Sequence, residues 1–279
     1  MLDIILETLL DAIKILPFLF VAFLLIELIE HKLSKKSLKI IEKSGKLGPL
    51  LGGMLGCFPQ CGFSVLATNL YITRIISLGT LISIYLSTSD EMLPILISNK
   101  VDIKIILNIL LTKVLIGITV GFVIDFLLRK KEKLDIHELC EEEHCHCERG
   151  LIKSSIIHTL HTIFFIILVS FILNIVMHFG GKDFLSNLFN ENNIFTPFIA
   201  SLIGIIPNCA ASVVITELYL NRILSFSGVI AGLLTGSGVA LLVLFRSNKN
   251  LKENIKILLI VYLAGSLSGV LIELINFIL

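Results

Sequence analysis

Residues 56–89 read GCFPQCGFSVLATNLYITRIISLGTLISIYLSTS, and residues 204–237 read GIIPNCAASVVITELYLNRILSFSGVIAGLLTGS. Of these 34 aligned positions, 14 are identical without a gap, at a constant offset of 148 residues. The identical positions include Pro59/Pro207, Cys61/Cys209, Ser64/Ser212 and Thr68/Thr216. An internal duplication of apolar segments interrupted by proline and glycine is typical of secondary transporters, and the interruptions indicate where such a transporter binds its substrate.

The composition is that of a membrane protein. Hydrophobic residues make up 55% of the 279 residues, charged residues make up 16%, and the mean hydropathy is +0.95. Soluble domains average about 45–50% apolar and about 25% charged residues. A membrane-spanning helix needs ~20 apolar residues. Apolar runs of about that length or longer occupy residues 9–29, 47–73, 75–98, 105–128, 156–179, 195–221, 223–245 and 255–279.

The distribution of lysine and arginine predicts the orientation in the cell membrane. Residues 30–46, 129–153 and 246–256 carry most of these cations, whereas residues 180–194 carry Lys182 alone. Short cytoplasmic loops of membrane proteins are enriched in lysine and arginine. We therefore expect the three basic loops in the cytoplasm, and residues 180–194 and both termini outside.

This orientation requires two of the apolar runs to be interrupted. If residues 47–73 crossed the membrane once, the first two basic loops would face opposite sides. A break at residues 59–61 divides the run into two pieces of about 13 residues, which are short for a full span. The same break at residues 207–209 divides the run 195–221. Each repeat then contains an odd number of full spans, so the second repeat is inverted relative to the first.

The predicted fold is therefore an all-α polytopic membrane protein of about ten helices. Residues 1–128 form the first repeat, residues 129–153 a cytoplasmic connector, and residues 154–279 the inverted second repeat. Each repeat has three full spans and a broken or re-entrant helical hairpin. Inverted repeats place their substrate near the membrane midplane, where we expect the tips of both hairpins.

The chemistry at the tips suits a cation. Proline ends a helix and leaves backbone groups unpaired. An amide, a thiol and hydroxyls at helical spacing lie beside each proline. The candidate substrate-binding residues of the two tips are Pro59, Gln60, Cys61, Ser64 and Thr68 in the first repeat, and Pro207, Asn208, Cys209, Ser212, Thr216 and Glu217 in the second.

Asp90 and Glu91 lie next to Ser89 within an apolar run, and Pro94 is expected to break the helix after them. Ionisable side chains at membrane depth mark ion paths or proton relays. We therefore add Ser89, Asp90 and Glu91 to the substrate site. Cys61, Cys209, Asp90 and Glu91 are the candidate metal ligands.

The connector contains HELCEEEHCHCER at residues 137–149. Thiolates, imidazoles and carboxylates are ligands for Zn²⁺ and softer ions. Because the cysteines lack the paired spacing of a structural zinc site, we interpret this loop as an accessory that collects metal. Its candidate ligands are His137, Cys140, His144, Cys145, His146 and Cys147.

The paired segments PQCGFSVLATNLYITRIISLGTLISIYLSTSDE and PNCAASVVITELYLNRILSFSGVIAGLLTGSGVALLVLFR resemble the ten-helix heavy-metal exporters, a family of arsenic efflux proteins and manganese transporters. The resemblance extends over essentially the whole chain and implies a cytoplasmic-membrane permease. The family pattern falls on Pro59, Cys61, Ser64, Thr68, Ser89, Asp90, Glu91, Pro207, Asn208, Cys209, Ser212 and Thr216.

The expected function is secondary active export of a divalent transition or heavy metal, either manganese or a softer ion, at the paired helix breaks. Two alternatives stay open: a permease for trivalent or organic arsenicals, and a membrane metal sensor that does not transport. An enzyme is not expected, because the sequence contains no identifiable pair of catalytic nucleophile and base. The expected partners are the transported metal ion and the lipid bilayer, without nucleic acid or a tightly bound cofactor, and a homo-oligomer is left open.

Overall fold

A computed structural model describes residues 8–10, 12–13, 16–17, 19–21, 24, 47–57, 61–89, 92–128, 151–176 and 195–278. Eleven continuous helices and no strands occur in these residues. The helices are α1 (Gly48–Gly56), α2 (Cys61–Ile72), α3 (Leu78–Ser87), α4 (Met92–Ser98), α5 (Ile103–Leu127), α6 (Leu151–Val176), α7 (Thr196–Gly204), α8 (Cys209–Leu220), α9 (Phe226–Thr235), α10 (Ala240–Ser247) and α11 (Leu251–Ile278).

The helix boundaries recur at the offset of 148 residues. Helices α1, α2 and α3 have the same lengths as α7, α8 and α9, and each pair begins and ends at matching positions. Helices α4 and α5 begin at positions that match the starts of α10 and α11. Arg74 and Arg222, also a matching pair, both adopt a positive φ, of 58° and 60°. The duplication therefore includes backbone conformation as well as residue identity.

Each repeat is built around a bundle of three helices. Helices α1, α3 and α5 pack together in the first repeat, and α7, α9 and α11 pack together in the second. Glycines permit the close approach. A methyl group on Gly121 would lie 2.6 Å from the Gly79 carbonyl oxygen, and one on Gly269 would lie 2.7 Å from Cβ of Pro197. Small residues commonly allow helices in membranes to pack this closely.

The two repeats contact each other reciprocally. Helix α2 packs on α10, and its counterpart α8 packs on α4, the counterpart of α10. Likewise α5 packs on α9 while α11 packs on α3, and α3 and α9 contact each other directly. Such an exchange of partners is what a two-fold axis produces. Helices α3 and α9, which contact each other, are buried along nearly their whole length.

Acidic residues near the ends of α5 and α11 bind the first turns of α3 and α9. Asp125 accepts hydrogen bonds from the Ser77 hydroxyl at 2.7 Å and from the Gly79 N–H at 2.8 Å. Glu273, at the matching position, accepts a hydrogen bond from the Ser227 hydroxyl. A carboxylate at a helix N-terminus is favoured by the helix dipole. These two acids therefore hold the ends of the central helices.

Three segments of the described residues are long and apolar enough to cross a membrane: Ile103–Leu127, Phe226–Ser247 and Leu251–Phe277. Most of Phe226–Ser247 is buried within the protein, whereas the other two are largely exposed apolar surface. This pattern fits outer helices that face lipid around a buried central segment formed by α9 and α10, so the chain is a multi-pass membrane protein.

The expected interruption at residues 207–209 lies where α7 ends and α8 begins, and residues 58–60 of the matching interruption lie outside the described part of the chain. The run 75–98 is broken earlier than we expected, at the end of α3 at Ser87, and the run 223–245, which we expected to be one span, is broken at the end of α9 at Thr235. The expectation that Pro94 breaks the helix is wrong. Pro94 is the third residue of α4, where proline fits because the first turn needs no backbone donor.

Candidate functional site

The break before α8 is built by Pro207 and Asn208. Asn208 is the N-cap of α8 in an extended conformation, and its side-chain oxygen accepts a hydrogen bond from the Ala210 N–H at 3.4 Å. Its own N–H turns back to the Ile206 carbonyl at 2.7 Å. Asn208 is 4% exposed. The chain therefore passes from α7 into α8 through a partly buried turn that an amide side chain stabilises.

Cys209 is the first residue of α8 and is buried, with its sulfur in no disulfide. The hydroxyls that follow donate to the backbone of their own helix: Ser212 to the Cys209 carbonyl at 2.8 Å, and Thr216 to the Ser212 carbonyl at 2.7 Å. A hydroxyl that donates one hydrogen bond keeps its oxygen lone pairs as acceptors. The thiol and these two oxygens lie on one face of α8 and can act as ligands.

The matching hydroxyls of α2 include one, that of Thr68, which makes an additional hydrogen bond to another helix. Thr68 donates to the Ser64 carbonyl at 2.7 Å and also shares a hydrogen bond of 2.6 Å with the Tyr85 hydroxyl. Ser64, Thr68 and Tyr85 are all fully buried. Leu233 stands at the position that matches Tyr85. The Thr68 hydroxyl therefore holds α2 against α3, a contact that the second repeat lacks.

The second pair of breaks follows α3 and α9. Ser89 is 1% exposed and donates to the Ser87 carbonyl at 3.1 Å. Its counterpart Ser237 is 0% exposed, and its hydroxyl has no hydrogen-bond partner among the described residues. Broken backbone at membrane depth is tolerated where it is buried in protein or lines a cavity. These breaks lie beside the central pair of helices.

Lys113 is the functional candidate that sequence reasoning missed. It lies in the middle of α5, is 1% exposed, and its ammonium donates to the carbonyl of Thr88, the residue after α3. The signal was present, because a lysine in an apolar span is costly and usually functional. The sequence pattern indicated the acids that follow Thr88, Asp90 and Glu91, but it did not indicate Lys113.

The two repeats are joined at one end by a charged cluster of Tyr71, Arg74 and Glu253. Arg74 binds both carboxylate oxygens of Glu253, at 2.6 and 3.0 Å, and the Tyr71 hydroxyl donates to the same carboxylate. The side chains of Arg74 and Glu253 are 25% and 15% exposed. Paired hydrogen bonds between arginine and a carboxylate are stronger and more directional than neutral ones.

Among the described residues, no such cluster occurs at the matching end of the interface. Ile105 stands at the position that matches Glu253, and Arg222 matches Arg74. Arg222 is exposed and lines an open cavity of about 430 Å³ together with Ile105 and Tyr219. In the described residues, the Arg74 end of the interface therefore has a charged cluster between the repeats, and the Arg222 end has a cavity.

Several predicted site residues lie outside the described part of the chain. They are Pro59, Gln60, Asp90, Glu91, the side chain of Cys61 and the connector residues His137, Cys140, His144, Cys145, His146 and Cys147. In the residues that the structure does describe, no three histidine, cysteine, aspartate or glutamate side chains come together as a metal site. Glu217, in the middle of α8, is half-buried.

A family described as "Putative, 10TM heavy-metal exporter" matches residues 1–184 and 171–278 of this chain. The two matches together cover nearly the whole sequence. The chain belongs to this family. The resemblance seen in the sequence is thereby confirmed, and membership of the ten-helix heavy-metal exporter family favours a transporter over an enzyme. Comparisons with curated proteins and with solved structures find no match to this chain.

Proposed function

We propose that this protein is a secondary active transporter that exports a divalent transition or heavy metal from the cytoplasm. The observation that carries the proposal is the set of helix ends and starts that recur at matching positions of the two repeats, in a chain of the heavy-metal exporter family. Backbone carbonyls that a broken helix releases, together with nearby side chains, form the ion sites of such transporters.

The proposed binding site lies between the breaks of the two repeats. Cys209, Ser212 and Thr216 supply a thiol and two oxygens from α8. Cys61 and the carboxylates of Asp90 and Glu91 would complete it from the first repeat. Thiols favour zinc, cadmium and trivalent arsenic, whereas carboxylate and carbonyl oxygens favour manganese. The balance between the cysteines and the acids therefore determines which metal is exported.

The repeats are proposed to have inverted topology, with residues 1–128 and 154–279 on either side of the connector. Their reciprocal contacts and matching helix boundaries support a two-fold relation. Combined with three basic loops on the cytoplasmic side, an odd number of spans per repeat inverts the second repeat. The Tyr71–Arg74–Glu253 cluster would then close the cytoplasmic end, and the cavity at Arg222 would open to the outside.

The proposed driving force is an ion gradient. The sequence contains no GxxxxGK[ST] motif for binding nucleotide phosphates. Asp90 and Glu91 are the proposed proton carriers, since intramembrane acids commonly form proton relays. The connector, with its cysteines and histidines, would gather metal at the cytoplasmic entrance.

A multi-element inventory of cells tests the proposal. Cells that express the protein, grown with added manganese, zinc, cadmium or arsenite, should contain less of one element than cells without it. For a softer metal, the double variant Cys61→Ser/Cys209→Ser should restore the lost element, because serine is a poor ligand for such ions. For manganese, Asp90→Asn should restore it and the double cysteine variant should not.

The other outcomes separate the alternatives. A loss of arsenic alone that depends on the cysteines and not on Asp90 would replace metal export with arsenical transport. Unchanged contents of all four elements would contradict export. A response that disappears when residues 137–149 are deleted, without any change in metal content, would identify a sensor. Cys57→Ser is the matched control, because Ile205 stands at its matching position and the thiol is not repeated.

A further inference from the structure

At the break after α3, a positive charge is supplied by a side chain of the protein, that of Lys113. The Lys113 ammonium donates to the Thr88 carbonyl and is 1% exposed. It also acts electrostatically on Cys57, which follows the last residue of α1. The C-terminal ends of α1 and α3 thus meet near one positive charge. A cation is favoured there because the C-terminal end of a helix carries partial negative charge.

The matching break after α9 has the same backbone elements but no lysine. Gly236 stands at the position of Thr88, and Val261, which is 0% exposed, stands at the position of Lys113. Residues 195–221, 226–245 and 257–278 contain no lysine or arginine. The ends of α7 and α9 therefore meet without the charge that α5 supplies in the first repeat.

Three carbonyl oxygens lie near this second break. A methyl group placed on Gly236 would lie 3.6 Å from the carbonyl oxygens of Gly232 and Leu233 and 4.0 Å from that of Gly204. Two helices contribute these oxygens. The adjacent Ser237 is 0% exposed, and its hydroxyl has no hydrogen-bond partner among the described residues. A buried polar group without a partner is costly, so it usually marks an ion, a water molecule or a strained site.

We propose that the second repeat binds a sodium ion at this break, which matches the break where the Lys113 ammonium lies in the first repeat. The Ser237 hydroxyl and the carbonyl oxygens near Gly236 are its ligands. A site of hydroxyl and carbonyl oxygens without carboxylate or thiol suits a hard cation of low charge. Carbonyls of unwound backbone and helix C-termini coordinate coupling ions in transporters of this architecture. Sodium would then contribute to the gradient that drives export.

Only the coupling role rests on the proposed function, since sodium binding can be measured without transport. The test compares the purified protein in detergent in sodium, potassium and choline chloride at equal ionic strength. The thermal midpoint should be highest in sodium, because a ligand that binds the folded state stabilises it. Radioactive sodium should bind saturably, with competition by unlabelled sodium and not by choline.

Three variants locate the site. Ser237→Ala should weaken sodium affinity by about tenfold, as the loss of one hydrogen-bonding ligand to a charge implies. Gly236→Ala should abolish binding, because the methyl fills the space among the carbonyls at distances that the fold tolerates. Val261→Lys should give a thermal midpoint that no longer depends on sodium, because the new ammonium supplies the charge.

Ser247→Ala is the matched control, since the Ser247 hydroxyl is also buried without a partner, in α10.

Equal midpoints in the three salts together with no saturable sodium binding would overturn the proposal. Sodium binding that Ser237→Ala and Gly236→Ala leave at the native affinity would also overturn this location. If Val261→Lys does not fold, the other two variants decide. Sodium binding in a protein that exports no metal would contradict the proposed function alone, so the two failures are distinguishable.

Discussion

Replacing Lys113 with methionine should lower metal export by at least about tenfold while the protein still reaches the membrane. Methionine keeps the apolar stem and removes the ammonium that donates to the Thr88 carbonyl. Leaving a buried acceptor unpaired costs about 1–3 kcal/mol. If this cost falls on one state of the transport cycle, the transport rate should change by about tenfold or more. Thr88 lies two residues before Asp90, so the change falls directly on the proposed site.

The measurement is metal flux into membrane vesicles, with the amount of protein determined by immunoblot. Lys113→Arg should keep a measurable part of the activity, because it retains the charge. Lys104→Met is the matched control: Lys104 lies in the first turn of the same helix and is exposed, so native flux is expected. Native flux in Lys113→Met would show that the buried cation plays no part in transport.

Breaking the Arg74–Glu253 pair should shift the protein towards a state open to the cytoplasm. Tyr71 and Arg74 come from the first repeat and Glu253 from the second, so the cluster must separate if the repeats rock against each other. Glu253→Gln removes the charge while preserving the size of the side chain. Contacting charged pairs show coupling energies of about 0.5–3 kcal/mol, so the equilibrium between the two states should shift by several fold.

The reporter is Cys209 in a variant with every other cysteine replaced by serine. Its labelling by a membrane-impermeant maleimide is followed from the cytoplasmic face of inside-out vesicles. Glu253→Gln should accelerate labelling, and the exchange Arg74→Glu/Glu253→Arg should bring the rate back towards the parent value. Lys252→Gln, on an exposed neighbour, should leave it unchanged. A labelling rate unaffected by Glu253→Gln would show that the cluster is not a gate.

The internal duplication allowed the all-helical architecture and its repetition at an offset of 148 residues to be predicted from the sequence. Pro207 predicted the break before α8, because proline does not sustain a buried helix, whereas residues 58–60 of the matching break lie outside the described residues. The break after α9 was missed and the break after α3 was placed too late, at Pro94, because the polar residues and glycines around Thr88 and Gly236 are short interruptions within long apolar runs. Pro94 was assigned the wrong role for a related reason, because proline is as compatible with the start of a helix as with its end.

The site residues were harder to find where the two repeats differ. Lys113 matches Val261, Tyr85 matches Leu233 and Glu253 matches Ile105, so a search for identities passes over all three. Each acts through a partner far away in the chain. The Arg74–Glu253 pair, for example, joins residues 179 positions apart. Aligning the two repeats identifies the residues that they share. Functional residues that occur in only one repeat are identified from their contacts in the structure.

The most direct test of metal export is flux through the purified protein in liposomes that contain a metal-sensitive dye. We predict that vesicles with the protein take up or release at least one of manganese, zinc and cadmium along an imposed ion gradient. The flux should saturate with metal concentration and should be strongly reduced by Lys113→Met. Rates equal to those of protein-free liposomes for all three metals, from a protein that remains folded, would contradict the account.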